Sequence, residues 1–271
     1  MKIMKELSTE SSNLLTISGL QFAYSEANPK PNITDLSLNL KAGEIVAILG
    51  ASGCGKSTLL NLIAGLLKPQ SGRIEFINNK TVSDKNKLQQ QIGYIFQDDA
   101  LLPWRTVESN LMLVTEIVKG ITKDTVNALI ERYLHVFHLD RAILQQYPVQ
   151  LSGGMRQRIS IMQTLMFDPR ILLLDEPFSA LDFFTKLRLE NEVYQLIKEQ
   201  DKAAILITHD IDEAIAIADR VLIMSAGGKF GNEFAIDFGQ DNRSPEEVRG
   251  TNRFTQYYHS IWSQLRTAIE K

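Results

Sequence analysis

An α/β fold built on a mainly parallel sheet is predicted by three observations. Short continuous apolar runs recur along the chain, at 45–49, 171–174 and 204–208. Runs of that length without alternation belong to strands buried on both faces. Helical patterns follow them, at 58–67, 182–200 and 210–218, and strands alternating with helices imply a parallel sheet with covered faces. Between the first and second apolar runs, residues 98–164 carry helical patterns and read as an insertion.

The first 95 residues are β-rich. Segment 14–24 alternates imperfectly; 33–40 alternates better, with Ile33, Leu36, Leu38 and Leu40 apolar. Gly43 breaks the chain before the run at 45–49. Further short strands are predicted at 73–77 and 92–96. Helices are predicted at 106–119 and 122–137. In the second, Val126, Leu129, Ile130, Tyr133, Leu134 and Phe137 form one helical stripe. A strand is expected at 221–224. The last forty residues, with Phe254, Tyr257, Tyr258 and Trp262, read as a short strand and then a helix packed on the domain edge.

Composition narrows the function classes. The chain has 271 residues, 44% hydrophobic and 23% charged, which excludes disorder as a whole-chain description and predicts a full core. Lys and Arg total 29 against 32 Asp and Glu, a net charge of −3, so a nucleic-acid partner is not expected. Cys54 is the single cysteine, so no intramolecular disulfide forms and a reducing compartment is expected. No apolar run approaches the length of a membrane span, about 18 residues. Segment 1–13 carries Lys2, Lys5, Glu6 and Glu10 and does not read as a signal peptide. A cytosolic chain is expected, held at any membrane by another polypeptide.

Gly50-Ala51-Ser52-Gly53-Cys54-Gly55-Lys56-Ser57 fits G-x-x-x-x-G-K-[ST] between a buried strand and a helix. Glycines let successive backbone N–H groups turn toward phosphates, and the next helix adds its positive end. Lys56 would reach the β- and γ-phosphates, and the Ser57 hydroxyl would ligate Mg²⁺. Gly50, Ser52, Gly53, Cys54, Gly55, Lys56, Ser57 and Thr58 are therefore candidate ATP-binding residues. A dinucleotide fingerprint competes, with Glu75 placed as a ribose acid. Gly53-x-Gly55 followed by Thr58 lacks its third small position, and Lys56-Ser57 favours a triphosphate. Cys54 reads as a loop filler.

Ile171–Leu174 is followed by Asp175 and Glu176, which such a strand delivers at the carboxyl edge of the sheet. Asp175 is expected to hold Mg²⁺ through water, and Glu176 to act as general base on an attacking water.

Leu151-Ser152-Gly153-Gly154-Met155-Arg156-Gln157 offers a second anion site: Ser152 can cap a helix whose first turn is bare glycine backbone. One phosphate loop and two phosphate-binding helices are most simply reconciled if this helix meets a nucleotide on another subunit.

With that motif the chain resembles the ATP-binding subunits of ABC transporters, over nearly its whole length. Met155 stands where Gln is commoner in their signature motif. The resemblance implies a P-loop NTPase core with an N-terminal antiparallel β subdomain and an inserted α-helical subdomain. One ATPase domain would cover 14–250, with its core at about 14–97 and 165–230 and the helical subdomain at about 98–164. An extension at 231–271 would pack on the core. Tyr24 is similar to the aromatic that stacks on adenine, and Gln97 to the Q-loop glutamine that senses Mg²⁺ and links to the membrane subunits. Ser179-Ala180-Leu181-Asp182 is similar to the D-loop, and His209 to the switch histidine at the γ-phosphate. Two copies would sandwich two ATP molecules, each between Lys56 of one and Ser152, Gly153 and Gly154 of the other.

Residues 99–104 (Asp-Ala-Leu-Leu-Pro-Trp), 105–110, 175–181 and 208–214 are similar to the nitrate/sulfonate/taurine group of import ATPases. That implies an importer subunit on the inner face of the cell membrane. Permease subunits would be contacted near Gln97 and Trp104, and a substrate-binding protein would be an indirect partner. Thiamine-precursor importers share Pro103-Trp104, so the solute stays open. Ile161-Met162-Gln163-Thr164 departs from the family's small residues and arginine. A soluble cluster-assembly ATPase is the alternative, and an exporter half is disfavoured. His135 and His138 lack a third metal ligand and read as plain surface or packing residues. Arg156 and Arg158 read as solvating a helix or touching a partner.

Overall fold

The computed structural model describes residues 13–24, 32–76, 91–239 and 243–269. Segment 1–13, expected not to be a signal peptide, lies outside them except for Asn13, as does the predicted strand end at Ile77. The strands are β1 (Asn13–Phe22), β2 (Ile33–Lys41), β3 (Ile45–Gly50), β4 (Ser71–Phe76), β5 (Ile92–Ile95), β6 (Ile171–Asp175), β7 (Ala203–Thr208), β8 (Arg220–Ser225) and β9 (Lys229–Ala235). The helices are α1 (Lys56–Ile63), α2 (Val107–Leu111), α3 (Leu113–Ile117), α4 (Lys123–Val136), α5 (Gly153–Leu165), α6 (Phe183–Glu199), α7 (Ile211–Ile217), α8 (Pro245–Val248) and α9 (Asn252–Ile269).

The main sheet has the order β5-β6-β7-β3-β8-β9. Its first five strands are parallel, and β9 is antiparallel on β8. A separate antiparallel sheet runs β2-β1-β4. The fold class is the one the sequence predicts.

The period of two along each parallel strand divides the core. On β3, Ile45, Ala47 and Leu49 face a core shared with the helices between β5 and β6 and with α6, α7 and α9. Val46 and Ile48 face a second core made by α1 and the small sheet. The split repeats on β6, where Leu172 and Leu174 face the first and Ile171 and Leu173 the second. A strand with two cores has no polar face, which is why its sequence does not alternate.

The boundaries differ from the expected ones for local reasons. Helix α1 starts two residues early, at Lys56, and stops at Ile63. Gly65 takes φ +73°, and the amides of Leu66 and Leu67 turn back to the Asn61 carbonyl at 2.9 and 3.2 Å. The helix expected over 106–119 is two, because Met112 ends α2 and begins α3. Thr106, Thr122, Ser152, Asp182 and Asp210 each sit at an N-cap with the side chain accepting a first-turn amide. At the C-terminal end the expected strand and helix are β9 and α9, with α8 added between them. Helix α9 buries Phe254, Ile261 and Leu265 in the first core.

Candidate nucleotide site

The loop 51–55 joins the end of β3 to α1 at the carboxyl edge of the main sheet. Gly55 has φ +113°, and a Cβ there would lie 2.4 Å from the Asn32 carbonyl oxygen. Glycine is demanded both by conformation and by space. Gly53, at φ +77°, needs it for conformation alone, since nothing lies within 4 Å of its missing Cβ. Lys56 is buried and donates from Nζ to the carbonyls of Gly50 at 2.8 Å and Ala51 at 3.0 Å. Its charge is thus held at the loop's centre. Cys54 is buried, and burial pushes its thiol up while Lys56 beside it pulls the other way. The net rise keeps it a thiol, as a loop filler requires.

Asp175 ends β6 and joins two other elements. Ser57 donates to its Oδ1 at 3.2 Å and Tyr94 to its Oδ2 at 3.2 Å. Burial raises the Asp175 pKa; the bonds from Ser57 and Tyr94 act the other way, while neighbouring Glu176 adds to the rise. Tyr94 is pushed up by its own burial and then by Asp175, which keeps its hydroxyl a donor. Glu176 has φ +48°, an uncommon backbone for a non-glycine residue. Its amide is held by the Ile207 carbonyl at 2.9 Å, and Ser179 Oγ donates to its carbonyl at 3.0 Å. These contacts aim the side chain out of the sheet edge, where Oε2 lies 3.1 Å from His209 Nδ1. His209 is largely exposed just past β7.

Tyr24 is 61% exposed, its ring edge-on to Phe22, with its hydroxyl 3.2 Å from Thr58 Oγ1. That links the aromatic to α1 at the loop and is not core packing. Gln97 is exposed just past β5. The following turn is organised by Asn110, which is fully buried. Its Oδ1 accepts the Leu102 amide, and its Nδ2 lies 3.0–3.2 Å from the carbonyls of Leu102, Arg105 and Thr106. Trp104 rides on that turn at 71% exposure and is not a core residue. Arg105 pairs with Glu116 at 2.7 Å.

Ser152–Gly154 have other neighbours. Ser152 Oγ accepts the Met155 amide at 3.3 Å. A Cβ on Gly154 would lie 2.7 Å from Thr185 Cγ2, so this helix start packs on the start of α6, capped by Asp182. The two arginines have partners inside the chain. Arg156 bonds Asp99 Oδ2 at 2.8 Å and the Leu151 carbonyl at 2.7 Å, and Arg158 is buried against Glu192 at 3.0 Å. Arg156 thereby ties the signature helix to the segment after Gln97.

The structure therefore joins Ser57, Asp175 and Tyr94 in one hydrogen-bonded group, Glu176 and His209 in a second, and Tyr24 and Thr58 in a third. Ser152–Gly154 and Asp182 start two helices that pack together, α5 and α6. Sequence reasoning missed Tyr94, whose only signal was its place in the strand beside the one ending in Asp175. It also missed Asn110, a polar residue on a short helix. Among the described residues no group of three or more His, Cys, Asp or Glu stands ready for a metal ion, and His135 and His138 are both exposed. No described helix is long and apolar enough to cross a membrane.

Comparison with known proteins identifies the family. The ABC transporter family model matches residues 33–179. YtlC, an ABC transporter ATP-binding protein of Bacillus subtilis (strain 168), is 39% identical over 240 residues, 88% of this chain and 90% of that one. The taurine import ATP-binding protein TauB of Yersinia pestis bv. Antiqua (strain Antiqua) is 39% identical over 237 residues, 87% and 89% of the two chains. A bacterial ABC transporter cassette solved as a dimer superposes with TM-score 0.72 at 29% identity, covering 82% of this chain and 99% of that one. The same cassette bound to ADP and Pi is 30% identical, with TM-score 0.72. The chain belongs to the ABC transporter family, as an ATP-binding subunit that hydrolyses ATP.

Proposed function

We propose that this chain is the ATP-hydrolysing subunit of an import system, powering uptake of a small solute of the nitrate/sulfonate/taurine kind through separate permease subunits. The observation that carries the ATPase half is the pairing of Ser57 and Asp175 across the loop–strand junction, with Glu176 and His209 paired beside it. A hydroxyl and a carboxylate are hard oxygen donors, a set that suits Mg²⁺ when phosphate oxygens and water complete its shell. When bound, the ion would offset charge on the β- and γ-phosphates.

In this reading Tyr24 stacks on adenine. Gly50, Ser52, Gly53, Cys54, Gly55 and Thr58 surround the phosphates with backbone and hydroxyl donors, and Lys56 turns from its own carbonyls to the β- and γ-phosphates. Gln97 reads the metal-bearing end of the site. Glu176 takes a proton from the attacking water, and His209 steadies the γ-phosphate. Ser152, Gly153, Gly154 and Asp182 complete the site of a second copy. The chain divides into one ATPase domain at 14–250, with the helical subdomain at about 98–164, and an extension at 231–271. It sits on the inner face of the membrane, its permease contact around Gln97 and Trp104. The exposed indole on a turn braced by Asn110 supports that contact, as do the taurine import relative and a nitrate import ATP-binding protein of Synechococcus elongatus (strain ATCC 33912 / PCC 7942 / FACHB-805). The latter is 36% identical over 242 residues, and this chain spans 35% of it.

A tagged Glu176→Gln chain, expressed in its host and extracted gently with ATP present, tests the reading. It should bind ATP, barely turn over and bring down a polytopic membrane protein in about equal amount. Wild-type turnover removes the general-base role. Recovery with soluble partners alone moves the chain to the cluster-assembly class.

A further inference from the structure

The segment after β9, outside the matched family region, reaches back toward the site. Arg249, which ends α8, places Nη2 2.5 Å from Glu190 Oε2 and Nη1 2.8 Å from the Pro245 carbonyl. Glu190 is on α6 and fully buried. One turn earlier, Lys186 bonds Asp210 Oδ2 at 2.6 Å and Glu213 Oε2 at 2.9 Å, and lies 3.8 Å from Glu190 Oε1. Asp210 directly follows His209 and caps α7, its Oδ1 accepting the amides of Asp212 and Glu213 at 2.9 and 3.3 Å. Two cations, Lys186 and Arg249, thus serve three carboxylates, Glu190, Asp210 and Glu213, with Asp212 at the rim. The cluster is already short of positive charge: Glu190 Oε1 and Glu213 Oε1 are buried with no hydrogen-bond partner among the described residues.

Without Arg249 the deficit would double. A buried carboxylate that loses its partner takes up a proton or draws on another cation. The other cation at hand is Lys186, which the segment after His209 already uses. We propose that Arg249 is a positioning residue for ATP turnover: by neutralising Glu190 it leaves Lys186 to Asp210 and Glu213, and so holds the start of α7, with His209 beside it, against α6. The proposal rests on reading His209 as the γ-phosphate contact.

The sign of its pH dependence follows from the surroundings. Burial pushes Glu190 up despite Arg249 and Lys186, and pushes Glu213 up to about 7 despite Lys186. Acids whose folded pKa is raised favour the folded state at the acid end, and that contribution is lost as pH rises from the ordinary carboxylate range through the folded value. A proton on Glu190 can therefore stand in for the missing guanidinium at low pH and not at high pH.

The test compares Arg249→Gln, Arg249→Lys and the Arg249→Gln/Glu190→Gln pair with the natural chain, in thermal unfolding and ATP turnover, from about pH 5.5 to about pH 8.5. Arg249→Gln should lose about tenfold in kcat at the alkaline end with KM for ATP unchanged, because a misheld catalytic segment costs rate. The deficit should shrink toward the acid end, Arg249→Lys should recover most of the rate, and the pair should recover it at every pH. A deficit of one size at all pH values that the pair does not relieve means simple tethering and overturns the proposal. So does natural turnover in Arg249→Gln. If unfolding follows the predicted pH pattern while turnover does not move, the charge balance stands but the link to His209 fails, and the positioning role is overturned. If Arg249→Gln does not fold, a soluble pair upholds the charge argument and an insoluble pair overturns it.

Discussion

Asp175 is the residue on which the site converges. Ser57 reaches it from the first turn of α1 and Tyr94 from the neighbouring strand, one on each carboxylate oxygen. The Ser57 contact is expected from the spacing of two motifs. The Tyr94 contact is not, because nothing in an apolar strand pattern says that its tyrosine faces the acid. Tyr94 also stacks on Phe96, with centroids 4.1 Å apart, immediately before Gln97. Tyr94→Phe removes one oxygen and leaves the stack. A lost hydrogen bond of this kind is worth about 1 kcal/mol, so the Mg²⁺ concentration giving half-maximal ATP binding should rise roughly fivefold. Fluorescent-nucleotide titration with and without Mg²⁺ checks this, and an unchanged Mg²⁺ requirement removes Tyr94 from the site.

At the scale of elements, caps and turns position more of the site than helix interiors do. Ser152, Asp182 and Asp210 each start a helix at a motif, so the hydrogen bond that begins the helix also places the functional backbone. For Asp210, burial alone would raise the pKa, but Lys186 and the amides of Glu213 and Asp212 outweigh it and hold it low. Its stabilising effect is present above the ordinary carboxylate pKa and fades as pH falls through the depressed value. Asn110→Ala would remove up to three side-chain hydrogen bonds from the 102–106 turn, one accepted by Oδ1 and two donated by Nδ2 among three carbonyls. With each net bond worth about 1 kcal/mol, a loss of about 3 kcal/mol is expected, with Trp104 emission shifting as its turn loosens. Chemical denaturation and fluorescence in a Trp262→Phe background measure both; native stability would mean the turn holds itself.

For the whole molecule, Ser152–Gly154 start a helix that packs on the start of α6. If each site is shared between two copies, two defects on opposite faces should complement. Lys56→Ala disables one face. Gly153→Asp disables the other by setting a carboxylate where phosphate would bind, and it fits without a clash, since the nearest atom to the added Cβ is 4.0 Å away. Each variant alone should be inactive. An equal mixture should recover roughly a quarter of the sites, because half the dimers are mixed and each holds one intact site. No recovery on mixing would exclude the shared site. The sheet underneath is a separate matter: Leu206→Ala, at a fully buried position on β7, should cost about 2–5 kcal/mol in denaturant unfolding while leaving the ATP affinity of the folded fraction unchanged.

Much of this was legible in the chain itself. Continuous apolar runs announce strands with two covered faces, and Gly50–Ser57, Asp175-Glu176 and Leu151–Gln157 carry their chemistry in residue type and spacing. Those are local properties, decided by backbone freedom, helix starts and strand ends. The tertiary structure decided what spacing cannot carry. It set Tyr94 on Asp175, bonded Arg156 to Asp99, raised Trp104 on a turn braced by Asn110, and brought Arg249 to Glu190 across 59 residues. Such contacts arise because sheet order places β5 beside β6, and because buried charges and amides must find partners wherever packing brings them.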